Sequence, residues 1–138
     1  MSILDDILET VREWISYADY DLHLAEHTLA TLDDCPYHLV AYHAQQCVEK
    51  YLKAWLIYHG IDFPYTHDIS KLLELCDKEI DWTKRLKDAE ELTTYATSVR
   101  YPRIEEKVTE EEAHRTVQIA KNVREMMRTA LIQKGMKI

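Results

Sequence analysis

Residues 42–60 read YHAQQCVEKYLKAWLIYHG, a helical segment with apolar side chains on more than one side and a glycine at its end. Over the longer span 36–59, Val40, Ala44, Cys47, Val48, Tyr51, Trp55 and Tyr58 share one face at helical period. Leu39, Leu56 and Ile57 project from other sides. A helix that is apolar beyond one stripe needs more than one neighbour to cover it. It is therefore central to a bundle, or part of it meets a second subunit. Opposite the main stripe runs a polar row of His43, Gln46, Glu49, Lys50 and Lys53. Its plainest reading is a solvated face, with pairs three and four residues apart that favour the helix.

The rest of the chain offers helices and nothing that competes with them. With 2 Gly and 3 Pro in 138 residues, there is little room for the tight turns a sheet requires. Val11, Trp14, Ile15, Ala18, Leu22, Ala25, Leu29 and Leu32 form one stripe of a first helix over about 4–32, opened by Ser2 and Asp5. Pro36 suits the first turn of the second helix, and Gly60 its left-handed cap. A short third helix carries Ile69, Leu72, Leu73 and Cys76, with Thr66 placed to cap it and Asp68 in its first turn. A fourth starts near Asp81, with Leu86, Ala89, Thr93 and Ala96 inward, and breaks at Pro102. A fifth starts at Thr109, with Glu112 completing a capping box and Ala113, Val117, Ala120, Arg124, Met127 and Leu131 inward. The expectation is a single all-α domain over 1–138, an up-and-down bundle of about five helices, four long and one short.

Charge and cysteine content narrow the function. Residues 1–35 hold nine acids and one base, whereas 113–138 hold six bases and one acid, in a chain of formal net charge −8. A broad field that attracts nucleic acid is excluded, and a local basic patch is not. An acidic first helix lying near a basic last one also accounts for the asymmetry. Three cysteines without close spacing, Cys35, Cys47 and Cys76, fit neither a disulfide framework nor a zinc knuckle. The acidic start and the lack of a long apolar run point to a cytoplasmic protein without a membrane span.

The motifs that could carry chemistry have structural alternatives. HLAEH at 23–27 has the spacing of a zinc-peptidase helix, but His23 and His27 lie about 120° and 160° from the apolar stripe. They face water, and no third ligand follows, so no metal is expected. His38, His43, His59 and His67 gather around the second helix and its exit, without metal-like company. In RYPR, residues 100–103, arginine suits a phosphate as well as it suits the carbonyls of a helix end. Arg124, on an inward stripe, calls for an inward carboxylate or hydroxyl.

Three stretches together resemble the HEPN domains, the higher-eukaryote and prokaryote nucleotide-binding helical domains. They are WISYADYDLHLAEHTL, YHAQQCVEKYLKAWLIYHGIDFPYTHDISKLLELC and LTTYATSVRYP, and the similarity spans roughly residues 10–130. The resemblance implies a helical bundle, commonly a homodimer, and a prokaryotic setting beside a minimal nucleotidyltransferase, often as a toxin–antitoxin pair. Many members of the family are metal-independent ribonucleases marked by Arg-x(4-6)-His, frequently followed by x-Tyr. No arginine of this chain has a histidine at that spacing, and no His-x-Tyr occurs. The chain thus resembles a branch without the ribonuclease motif, for which a non-catalytic binding module is the first expectation.

The matched residues give a candidate ligand site of His43, Gln46, Lys50, His67, Asp68, Arg100 and Tyr101. They meet if the second helix, the turn at 64–68 and the end of the fourth helix converge. Lys50 and Arg100 would supply charge for a nucleotide phosphate, and Tyr101 a stacking surface. No catalytic residue, metal or cofactor is expected; the partners are a second copy, a nucleotidyltransferase, and a nucleotide or RNA. The alternative is a divergent metal-independent ribonuclease that uses Arg100 or Arg103 with His43 or His67 as acid or base.

Overall fold

The structure, a computed structural model, describes residues 2–98 and 107–138. Its elements are α1 (Ile3–Thr31), α2 (Tyr37–Tyr58), α3 (Ile69–Cys76), α4 (Trp82–Arg85), α5 (Thr93–Ser98) and α6 (Glu110–Gln133). A 3-10 turn, Lys87–Leu92, separates α4 from α5. No strand occurs among the described residues, and no helix is long and apolar enough to cross a membrane.

Local sequence sets the long helix starts. Ser2 accepts from the Asp5 amide while the Asp5 carboxylate accepts from the Ser2 amide, and Thr109 and Glu112 do the same for α6. Each box satisfies two amides that have no partner inside the helix. At α3 the roles differ from expectation. Asp68 is itself the cap, accepting from the Ser70 and Lys71 amides, and Thr66 Oγ1 accepts from the Asp68 amide. Gly60, with φ of +66°, takes the left-handed conformation just beyond α2.

α2 is the central rod. It packs against α1, α3, α5 and α6, and residues 51–56 are buried without a break. Six consecutive positions at about 100° each point in every direction around a helix, so no side of this stretch faces water. Leu56 is 0% exposed and Ile57 half-buried within the one chain, whereas Leu39 is 39% exposed. The chain's own helices therefore cover Leu56 and part of Ile57, whereas Leu39, near the start of α2, stays open. α1 and α2 run antiparallel, since Trp14 meets Lys53 while Asp21 meets His43. α6 runs antiparallel to α1, with Arg12 bonded near the C-terminus at the Lys137 carbonyl and Glu26 paired with Lys121.

Asp19 fastens these three rods. Its Oδ1 accepts from Arg124 Nε at 2.9 Å and from the Tyr51 hydroxyl, and Arg128 Nη1 lies 3.6 Å from Oδ2. The cation on the inward stripe of α6 thus has the carboxylate partner its position demands. Burial and the neighbouring Asp19 carboxylate push the Tyr51 phenol well above its usual range, so it remains a donor.

The expected fourth long helix is instead α4, the 3-10 turn and α5. Its buried residues explain the break: Leu86, Ala89 and Leu92 fall at strict three-residue steps. An α-helix would rotate each of them about 60° off the last, whereas three residues per turn keeps them on one face. Thr93, expected among the inward residues, is half-buried and accepts from the Ile69 amide with Oγ1 at 3.0 Å. Ala96 is buried. Pro102, the expected breaker, lies outside the described residues.

The burial pattern sets a stability contrast. Leu56→Ala removes a fully buried side chain and should cost about 2–5 kcal/mol in urea unfolding, against less than about 0.5 kcal/mol for Leu39→Ala. Similar costs for the two would contradict the central position of α2.

Candidate functional site

The polar row of α2 is not the solvent side that its sequence indicated. Glu49 is 4% exposed, Lys53 6%, and Gln45, one turn before Glu49, 0%. The connection between α2 and α3 folds back over them. His67 reaches Glu49 from that connection, and the Phe63 ring there lies 5.8 Å from Lys53 Nζ. From the other side, Trp14 of α1 lies at the same 5.8 Å. Two aromatic faces give the ammonium a partial substitute for water.

A carboxylate taken out of water must be neutralised and hydrogen-bonded, or it costs several kcal/mol. Glu49 meets both conditions. Oε1 contacts His67 Nδ1 at 2.7 Å and accepts from Gln45 Nε2 at 3.0 Å, while Oε2 accepts from Lys53 Nζ at 3.0 Å. Gln46 Nε2 donates to Gln45 Oε1 at 2.7 Å and extends the chain of bonds toward the surface. Burial by itself raises the Glu49 pKa. The bonds from His67, Gln45 and Lys53 outweigh it and hold the carboxyl below its ordinary value.

A second acid organises the neighbouring turn. Asp21 of α1 places Oδ1 2.9 Å from His43 Nδ1, and its Oδ2 accepts from Lys50 Nζ. His43, Gln46 and Lys50 stand three and four residues apart, so they form one edge of α2. That edge is half-buried, and Asp21 and Glu49 lie beneath it as its fixed anions.

Four of the seven expected site residues thus lie in one network or its neighbour: His43, Gln46, Lys50 and His67. Asp68 does not join them, because its carboxylate is committed to capping α3. Arg100 and Tyr101 lie outside the described residues. Sequence reasoning missed Asp21 and Gln45, and it placed Glu49 and Lys53 in water. The available signal was the four-residue ladder Gln45–Glu49–Lys53, which runs beside apolar Val48 and Leu52 rather than along a wholly polar face.

His23 and His27 are exposed and stacked on each other at 6.3 Å. No group of three or more potential metal ligands occurs among the described residues. Burial raises all three thiol pKa values, with Cys76 pushed up to about 12, so none is set up as a thiolate.

The depressed Glu49 pKa fixes a sign for acid stability. A carboxyl held lower in the folded than in the unfolded chain stabilises the fold above the ordinary value of 4.5, and this is lost as pH falls through the folded value. Glu49→Gln should cost about 3 kcal/mol at neutral pH, with the gap to wild type narrowing as pH drops below that value. Urea unfolding of both chains across this range checks it, and a constant gap would contradict it.

Residues 11–130 match the family model described as HEPN domain. The fold is similar to that of TT1696 from Thermus thermophilus, with a TM-score of 0.72 at 22% identity, over 86% of this chain and 96% of that one. It is also similar to ST0689, an archaeal HEPN homologue, with a TM-score of 0.67 at 27% identity, over 87% of this chain and 96% of that one. No curated protein matches the sequence. With a family model that runs through all the long helices and an archaeal HEPN homologue that shares the fold, this chain belongs to the HEPN domain family.

Proposed function

We propose that this chain is a nucleotide-binding and interaction module whose ligand meets the edge formed by His43, Gln46, Lys50 and His67. One observation carries the reading: two imidazoles and an ammonium are each seated on a carboxylate, Glu49 buried and Asp21 half-buried, and still reach the surface. His43 keeps 26% of its side chain exposed, Lys50 24% and His67 25%, over Asp21 at 13% and Glu49 at 5%. Buried ion pairs contribute little net stability. Their worth here lies in holding donors in fixed positions toward an arriving anion, so that less freedom is lost on binding. Tyr65, 89% exposed and edge-on to His67 at 5.3 Å, supplies an aromatic surface for a base. The resemblance adds Arg100 and Tyr101 to the proposed ligand contacts; both lie outside the described residues.

The family resemblance supports the rest of the reading, a minimal nucleotidyltransferase partner in a toxin–antitoxin-type pair and association with a second copy. Leu56 is covered within the chain, so the larger open apolar surface for a second copy lies on α1. There Tyr17, Tyr20 and Leu24 are 61%, 68% and 47% exposed on one face.

A second reading has its own observation. Each imidazole has Nδ1 against a carboxylate, an arrangement that orients a histidine for proton transfer. It favours a divergent metal-independent ribonuclease with His43 and His67 as acid and base.

Titration of fluorescent ATP and GTP tests the first reading. Wild type should bind, and Lys50→Ala and Arg100→Ala should each weaken binding at least about ten-fold, a loss of about 1.4 kcal/mol. Negligible binding by all three chains would remove it. Metal-free cleavage of a mixed RNA pool by wild type, abolished in His67→Ala, would establish the second reading instead.

A further inference from the structure

The buried Glu49 also decides which way an amide at the surface points. A carboxylate kept ionised by Lys53 Nζ at 3.0 Å, with His67 Nδ1 at 2.7 Å, offers acceptors only. Gln45, 0% exposed, must therefore turn Nε2 toward it, and the two lie 3.0 Å apart. Gln45 Oε1 is then left as an acceptor, and Gln46 Nε2 donates to it at 2.7 Å. Reversing the Gln46 amide would set two carbonyl oxygens against each other. Each orientation thus follows from the one before it, beginning at a buried charge.

Gln46 is half-buried, and among the described residues its Oε1 is neither enclosed nor bonded. An amide nitrogen carries two protons, and Gln45 takes one of them. The second proton and Oε1 remain as a donor and an acceptor side by side. Lys50 stands one turn further along the same edge.

We propose that Gln46 reads the base of the nucleotide and that the site prefers adenine, an inference that rests on the nucleotide-binding reading above. Adenine offers its N6 amine to Oε1 and its N7 to the second Nε2 proton, the paired contact that glutamine makes with this base. Guanine and hypoxanthine carry an oxygen at position 6, which meets Oε1 with no proton between the two. Lys50 then takes the phosphates. Gln45 touches no ligand and is a positioning residue that acts through Gln46.

Calorimetric titration of the whole chain with ATP, ITP and tripolyphosphate tests this. ATP and ITP differ at position 6 of the base, and tripolyphosphate has no base. Wild type should bind ATP at least about ten-fold more tightly than ITP. Gln46→Leu should bring the two affinities within about two-fold of each other. Gln45→Met, with folding checked by circular dichroism, should do the same by releasing the Gln46 amide, while its affinity for tripolyphosphate stays that of wild type. Where Gln45→Met does not fold, the Gln46→Leu comparison decides alone. Equal binding of ATP and ITP by wild type overturns the proposal and leaves the nucleotide site standing, and so does a preference that survives Gln46→Leu. A Gln45→Met chain that folds and keeps the preference, or that loses tripolyphosphate as well, contradicts the chain of orientations. Binding of none of the three ligands removes the site itself, and the preference with it.

Discussion

Glu49 lies on the one helix that the rest of the bundle surrounds. A carboxylate there cannot keep its water, so the fold must bring it donors from several places at once. Lys53 comes from the next turn of α2, Gln45 from the turn before, and His67 from the connection beyond Gly60. Trp14 and Phe63 then have to cover the Lys53 ammonium. The depth of α2, the path of the 59–68 connection and the rotation of α1 are thus tied to one ion pair. Asp21 and Asp19 extend the same logic outward: each lies on α1 and gathers cations and donors from α2 or α6. Three carboxylates, Glu49 buried and Asp21 and Asp19 partly exposed, thus tie α1 to α2 and α6 and α2 to the connection that follows it.

Much of the fold is legible in the sequence because it rests on short-range rules. Both capping boxes, the Gly60 stop and the apolar stripes of α1 and α6 follow from spacing within one helix. The central place of α2 follows from Leu56 and Ile57 lying off the main stripe. What is not legible has two physical causes. The segment 82–98 carries apolar residues at steps of three, a pattern that overlaps with an α-helical stripe and separates from it only over several turns. The polar row reads as solvated because Glu49 and Lys53 are locally an ordinary pair at four-residue spacing. Only the chain's return at Phe63 and His67, set by tertiary packing, takes that pair out of solvent.

The candidate site shows the same division. Family resemblance picks out His43, Gln46, Lys50 and His67, and the structure places them along one edge. Neither spacing nor resemblance points to Asp21, which is on another helix and meets Lys50 only through the antiparallel pairing of α1 and α2. Asp68 reads as a site residue because it follows His67, yet the free amides at the start of α3 claim its carboxylate. No arginine of this chain has a histidine at the Arg-x(4-6)-His spacing. The two histidine–carboxylate pairs keep acid–base chemistry physically available to it.

The central claim is that the Glu49–Lys53 pair lies in the interior of the bundle, and amine-reactive footprinting of the folded chain tests it directly. Brief labelling with an acetylating ester, read by mass spectrometry, should leave the Lys53 amine unmodified while exposed Lys71 and Lys137 react, with Lys53 catching up only after denaturation. Labelling of Lys53 in the native chain at the rate of those surface lysines would place the polar row of α2 in water and contradict the arrangement described.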